Sequence, residues 1–131
     1  MLKFYSASRA VLGCNKNIRL YRYDVGQRFG KHIDEAVRDD DIGAVSEHTI
    51  LIYLNGGGGG SDTTDEAKEP LEGGHTVFYK GNTGTAKACT VTPRQGACLV
   101  HGHGRRCLTH EGAVVTRGVK FLLRTDVMYE A

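Results

Sequence analysis

Thr49-Ile50-Leu51-Ile52-Tyr53-Leu54 runs into Asn55 and then five consecutive glycines at 56–60. The run is short, rich in β-branched and aromatic residues, and stopped by turn formers, so it reads as a strand. Alternate side chains of a strand take opposite faces. Leu51, Tyr53 and Asn55 therefore share one side, and Ile50, Ile52 and Leu54 the other. Similar apolar runs lie on both sides, at 18–25, 76–79, 89–92, 97–101, 114–116 and 119–125, with Gly118 turning the last two. In the first of these, Arg19, Tyr21 and Tyr23 share a face opposite Leu20 and Arg22. Helical periodicity is confined to 7–12. Seven or eight short strands separated by Gly, Asp and Asn predict a β-sandwich or barrel.

Composition agrees with this reading. The chain has 131 residues and a mass of 14.3 kDa, the size of one domain spanning 1–131. Glycine contributes 18 residues, about twice the usual share of roughly 7%, while proline contributes two, which favours many tight turns. Lys and Arg number 17 against 15 Asp and Glu, and a net charge of +2 argues against a dedicated nucleic-acid binder. No apolar run approaches 18 residues, so no membrane span is expected. The first 13 residues lack an apolar core of secretory type, and an intracellular location, cytoplasmic or nuclear, is the expectation. Cys14, Cys89, Cys98 and Cys107 form no C-x-x-C pair and read as free thiols.

Two polar stretches interrupt the pattern. Residues 56–72 read as a flexible Gly-rich loop. Residues 34–47, with Asp39-Asp40-Asp41, read as a second loop, either solvated surface or a lid beside a site. Residues 1–16 form a short N-terminal segment.

The chemistry gathers around histidine. His32 and Asp34 form an H-x-D pair, and i and i+2 on a strand aim an imidazole and a carboxylate at one point. A distant histidine would complete a two-His-one-carboxylate triad, a donor set that suits non-haem Fe(II) and leaves positions open. On its own the pair is a weak signal. The wider pattern is more specific. Tyr23, Gly26, Phe29, His32 and Asp34 stand as Y-x-x-G-x-x-F-x-x-H-x-D. Downstream come Leu71-Glu72-Gly73-Gly74-His75-Thr76-Val77-Phe78-Tyr79, then Val91-Thr92-Pro93-Arg94-Gln95-Gly96-Ala97-Cys98-Leu99-Val100, then His110-Glu111-Gly112 and, ten residues after His110, Lys120.

Together these motifs resemble the prolyl 4-hydroxylase-like family of Fe(II)- and 2-oxoglutarate-dependent dioxygenases, over roughly residues 17–129 and in that family's order. The resemblance implies a mainly β fold, the double-stranded β-helix (a jelly roll, cupin-like) with little helix. It implies His32, Asp34 and His110 as iron ligands and Lys120 as the group that binds the far carboxylate of 2-oxoglutarate. Tyr53 and Tyr23 fall where family members place tyrosines that line the co-substrate pocket. The implied reaction consumes O2 and 2-oxoglutarate, with ascorbate as an accessory, and hydroxylates a carbon of a protein or peptide substrate, proline first, releasing succinate and CO2. The physics is consistent: a buried lysine is costly unless an anion meets it, and Lys120, Leu122 and Arg124 share one strand face.

Each assignment has a plainer rival. Lys120 could sit on the surface, with Arg117 or Arg124 binding the carboxylate instead. Tyr53 could be core with its hydroxyl on the backbone, and Tyr23 a packing residue. His101 and His103 read as structural or as partners of the ligands, and His48 and His75 as uninvolved. The family's usual Gly-Gly-Glu-Thr is Gly73-Gly74-His75-Thr76 here, and the stretch before Asn17 is shorter than the family's helices, as in a minimal form or a fragment. The alternative function is a non-catalytic module that binds a metal or an organic acid on the same fold. A cupin that does not use 2-oxoglutarate is a further option, held open by His101 and His103. Nucleic-acid demethylation lacks a basic stripe to support it.

Overall fold

The computed structural model describes residues 9–57, 69–81 and 84–131. Among them lie β1 (Val11–Cys14), β2 (Arg19–Tyr23), β3 (Phe29–His32), β4 (Arg38–Asp39), β5 (Ala44–Tyr53), β6 (Glu72–Gly73), β7 (Thr76–Lys80), β8 (Ala86–Val91), β9 (Cys98–Gly102), β10 (His110–Gly112), β11 (Val115–Arg117) and β12 (Lys120–Glu130). The single helical element among these residues is a 3-10 turn at Gly104–Arg106.

The strands make two main antiparallel sheets. In the larger, β1, β12, β5 and β4 lie side by side, with β2 also on β12 and β9 also on β5. In the smaller the order is β3-β10-β7-β8, and β11 pairs with β6 separately. This is the jelly roll expected from the sequence. The sheets meet through their inner faces, where the Tyr53 hydroxyl on β5 reaches Thr76 Oγ1 on β7 at 2.7 Å.

Strand parity decides what faces inward. Along β5, Thr49, Leu51 and Tyr53 are buried while Ile50 and Ile52 are partly open. On β12, Lys120 and Leu122 are buried and Phe121 is exposed. Register brings these inward residues together: Leu122 pairs with Tyr53, Arg124 with Leu51, and Lys120 with Tyr23 on β2. Leu51, Tyr53 and Leu122 form the core cluster, with Tyr21, Val91, Ala97 and Leu99 packed against it. Removing each leucine side chain from water is worth roughly 1.5–3 kcal/mol.

Several expectations change. Residues 11–14 are β1, not the end of a helix: Val11 is β-favouring, and Val11, Gly13 and Cys14 pair with Tyr129, Met128 and Val127 at the edge of the sheet. The part of that expected helix at 7–8 lies outside the described residues. The stretch 34–47 is not a loop throughout, because Arg38 and Asp39 pair with Val45 and Ala44 and β5 begins at Ala44. The final strand runs on from 125 to Glu130, carried by pairing with β5 from Thr125 opposite Ile50 to Glu130 opposite Ala44. The strand at 18–25 is shorter, at Arg19–Tyr23. Strands β3 and β10 were hidden because glycine and charged residues occupy them. Most of the expected loop at 56–72 lies outside the described residues, and Glu72 is in β6. All four cysteines are free, and only Cys107 is buried.

Candidate functional site

His32 ends β3, His110 begins β10, and the two are direct partners across that antiparallel pair. Asp34 follows just beyond β3 and is 5% exposed. Its Oδ1 lies 3.4 Å from His32 Nε2, and its Oδ2 lies 3.8 Å from His110 Nε2. One ligand atom from each of the three falls within 4.8 Å of the others. The structure therefore brings together the three residues that the sequence pattern singled out.

The ring nitrogens are oriented for metal binding. His110 Nδ1 lies 2.9 Å from Leu108 O, and His32 Nδ1 lies 2.7 Å from Gly30 O. A carbonyl only accepts, so each Nδ1 carries a proton and each ring turns its Nε2 toward Asp34, the nitrogen that would bind a metal there. Burial lowers the His110 pKa, which favours that neutral form. Two imidazole nitrogens and a carboxylate, each ring fixed from behind by a carbonyl, fit a divalent first-row metal such as Fe(II).

Asp34 is held ionised by its surroundings. Burial pushes its pKa up, but the His32 and Thr49 contacts and the Arg124 charge more than reverse that, leaving it well below the usual carboxylate range. Arg124 Nη2 is 3.1 Å from Asp34 Oδ2. Arg124 thus pairs with the carboxylate of this cluster, and Arg117 pairs with Glu72 on the surface. Each of these two arginines already faces a carboxylate of the chain.

A polar chain supports Asp34 from behind. Val37 N–H donates to Ser46 Oγ at 2.8 Å, and Ser46 Oγ lies 3.1 Å from His103 Nδ1. His103 Nε2 lies 2.7 Å from Thr49 Oγ1, which donates to Asp34 Oδ2 at 2.7 Å. One arrangement of protons satisfies every link: Ser46 donates to Nδ1, Nε2–H donates to Thr49, and Thr49 donates to Asp34. His103 is buried and neutral, its pKa lowered by burial. It acts behind the cluster, as expected of it. Thr49 and Ser46 were missed, because a hydroxyl on an apolar strand reads as β-propensity.

Lys120 is 3% exposed, and its Nζ donates to Gly74 O at 2.7 Å. No carboxylate lies within ion-pair distance of it among the described residues. Burial lowers its pKa to about 8. It stands 5.3 Å from the Tyr23 ring centroid and 5.8 Å from that of Tyr53. Gly74 has φ +67°, and a Cβ there would lie 2.9 Å from Lys120 Cδ, so a glycine makes room for the lysine stem. Lys120, Tyr23, His32, Asp34 and His110 line one pocket. Tyr53 is fully buried with its hydroxyl on Thr76, not on the backbone, and its raised pKa follows from burial. Tyr23 is likewise raised, chiefly by burial.

His101 also lines this pocket. Its Nε2 is buried without a hydrogen-bond partner, 3.5 Å from Asp34 Oδ2. His48 instead meets the Tyr129 hydroxyl at 2.8 Å, away from the cluster.

Comparison with solved structures agrees with the architecture. The viral collagen prolyl hydroxylase of Paramecium Bursaria Chlorella virus-1, solved as a 2OG complex, superposes with a TM-score of 0.56 at 21% identity, covering 86% of this chain and 57% of that one. A Pseudomonas putida prolyl-4-hydroxylase superposes with a TM-score of 0.58 at 22% identity, covering 87% of this chain and 51% of that one. The fold is that of these prolyl hydroxylases. This chain spans little more than half the length of either structure. No family model and no curated protein sequence matches it. No helix among the described residues is long and apolar enough to cross a membrane.

Proposed function

We propose that this chain is an Fe(II)- and 2-oxoglutarate-dependent dioxygenase that hydroxylates a carbon of a protein or peptide substrate, with proline the first candidate. The observation that carries this reading is a juxtaposition. Three metal donors, His32, Asp34 and His110, share a pocket with a buried lysine that has no carboxylate partner among the described residues. The prolyl hydroxylases of the same fold, one of them holding 2OG, support it.

Fe(II) would be held by His32, Asp34 and His110, and with 2-oxoglutarate bound it supplies the activation of O2 and the oxidation of a C–H bond, with succinate and CO2 released. The chain's own work is positioning. His32 and His110 keep their protons at Nδ1 on backbone carbonyls, so both Nε2 atoms stay free. Asp34 stays ionised through Thr49 and Arg124. Lys120 supplies the charge for the distal carboxylate of the co-substrate, and a buried charge-assisted pair is stronger than a neutral hydrogen bond. Tyr23 and Tyr53 wall the lysine and keep water from it. Leu51 and Leu122 close the pocket from the larger sheet.

The test is Fe(II)-dependent release of succinate from 2-oxoglutarate, with a library of proline-containing peptides screened for a gain of one oxygen by mass spectrometry. Turnover that requires His110 and a peptide bearing the added oxygen support the proposal. Folded protein that binds Fe(II) and 2-oxoglutarate yet yields no succinate would favour the non-catalytic binding module.

A further inference from the structure

Cys107 is buried beside the triad, where its Sγ accepts the Asp34 N–H at 3.3 Å, and the proposed function gives its thiol no chemistry. Its Sγ lies 3.7 Å from His110 Nδ1 and 3.9 Å from His101 Nδ1. One ligand atom from each of these three residues falls within 4.8 Å of the others. A tetrahedral zinc with metal–sulfur and metal–nitrogen bonds of about 2.3 and 2.0 Å sets sulfur and nitrogen about 3.5 Å apart. The cluster is within a few tenths of an ångström of that spacing.

We propose that His101, Cys107 and His110 form a second metal site, selective for a thiophilic divalent ion such as Zn(II), whose occupation excludes Fe(II) from His32, Asp34 and His110. The exclusion rests on the function proposed above; the sulfur site does not.

The unpartnered nitrogen of His101 points to this site independently. Its Nε2 faces Asp34 Oδ2 at 3.5 Å with no hydrogen bond made. A histidine that binds metal through one nitrogen characteristically donates its other N–H to a carboxylate. With Nδ1 on the ion, the proton moves to Nε2, directly in front of Asp34. Asp34 would thereby change from a candidate ligand into the carboxylate that orients a ligand.

The exclusion follows from His110. A neutral imidazole has one bare nitrogen. The iron site needs it at Nε2, with Nδ1–H on Leu108 O. The sulfur site needs it at Nδ1, which puts the proton on Nε2 and gives up that carbonyl contact. The two sites thus require opposite tautomers of one ring. Proton balance is simple: Cys107 loses its thiol proton to solvent as sulfur binds the ion, and the His101 and His110 protons only change nitrogen. Thiolate sulfur selects zinc, whereas imidazole and carboxylate donors serve Fe(II) and zinc alike. His101 and His110 both line the pocket, which gives the ion its way in.

The test is anaerobic cobalt(II) titration of the reduced protein, followed by absorption. The expected result is a sulfur-to-cobalt charge-transfer band with intense tetrahedral d–d bands, lost in Cys107→Ser and retained in His32→Ala. His101→Gln should weaken zinc on the order of tenfold or more, which keeps the proposal testable should the serine variant fail to fold. An equal band in Cys107→Ser would assign it to the exposed thiols and overturn the site. In the second arm, the Zn(II) concentration that halves the visible Fe(II)–2-oxoglutarate band should be at least about tenfold lower in the parent than in Cys107→Ser, where zinc competes only at His32, Asp34 and His110. Equal suppression in both would overturn the exclusion. Absence of that band without zinc would refute the proposed dioxygenase, and the cobalt spectrum alone would then decide the sulfur site.

Discussion

His32 and His110 stand opposite each other across the β3–β10 pair, with ring centroids 4.2 Å apart. Backbone pairing therefore fixes the separation of two donors that lie far apart in the chain. Each ring is then turned by a carbonyl near its own residue, Gly30 O for one and Leu108 O for the other. Asp34 needs more help, because it lies past the end of β3. Gly104 N–H bonds its carbonyl at 2.8 Å, and its own N–H donates to Cys107 Sγ at 3.3 Å.

Thr49→Val removes the hydroxyl that donates to Asp34 and strands His103 Nε2–H. Metal affinity should fall about 10–100-fold, and stability by about 1–3 kcal/mol. Thr49→Ser should restore most of both. Calorimetric metal titration and chemical denaturation of the two variants check this.

Lys120→Met should raise the dissociation constant for 2-oxoglutarate at least about thirtyfold, since truncating one partner of a buried charge pair costs 2–5 kcal/mol. The variant should be no less stable than the parent, because the methionine removes a buried charge. Tyr53→Phe should change affinity far less, because its hydroxyl is already engaged by Thr76. Isothermal titration with 2-oxoglutarate separates the two effects.

Lys120 also sets a pH dependence. Its pKa is lowered to about 8 by burial, against about 10.4 for a free lysine. Between those values the folded chain holds one proton fewer than the unfolded chain, so this residue makes stability rise with pH. Affinity for the dicarboxylate should fall over the same window, as the charge that meets it is lost. Titrations and thermal melts across that range should move in opposite directions; affinity that does not change would place the carboxylate elsewhere.

Gly74→Ala puts a Cβ 2.9 Å from Lys120 Cδ at a φ of +67°. The left-handed backbone costs roughly 1–2 kcal/mol in a non-glycine residue, and the lysine stem must shift. Co-substrate affinity should fall with little change in metal affinity. Parallel Fe(II) and 2-oxoglutarate titrations check the split.

The sequence carried much of this arrangement, unevenly. The parity of Thr49 to Asn55 and of Lys120 to Arg124 was legible because strand side chains alternate, and register then placed Leu122 on Tyr53 and Lys120 on Tyr23. Spacing alone made His32 and Asp34 a weak pair, and the wider motif order brought in His110. Arg124 could be narrowed to an inward face but not to a partner: its place against Asp34 depends on how the two sheets meet. The Ser46–His103–Thr49 chain was illegible for the same reason. The β3 and β10 strands escaped because Phe29-Gly30-Lys31-His32 and His110-Glu111-Gly112 lack strand-forming composition. They are strands because pairing with neighbours overrides local preference.

The central claim is that one pocket holds a metal on His32, Asp34 and His110 and a dicarboxylate on Lys120. Anaerobic titration of the protein with Fe(II) and 2-oxoglutarate, followed by visible absorption, tests it most directly. A charge-transfer band should appear only when both are present, vanish in His110→Ala, and require far more 2-oxoglutarate in Lys120→Met. Folded protein that gives no band, or a band unchanged in His110→Ala, would contradict it.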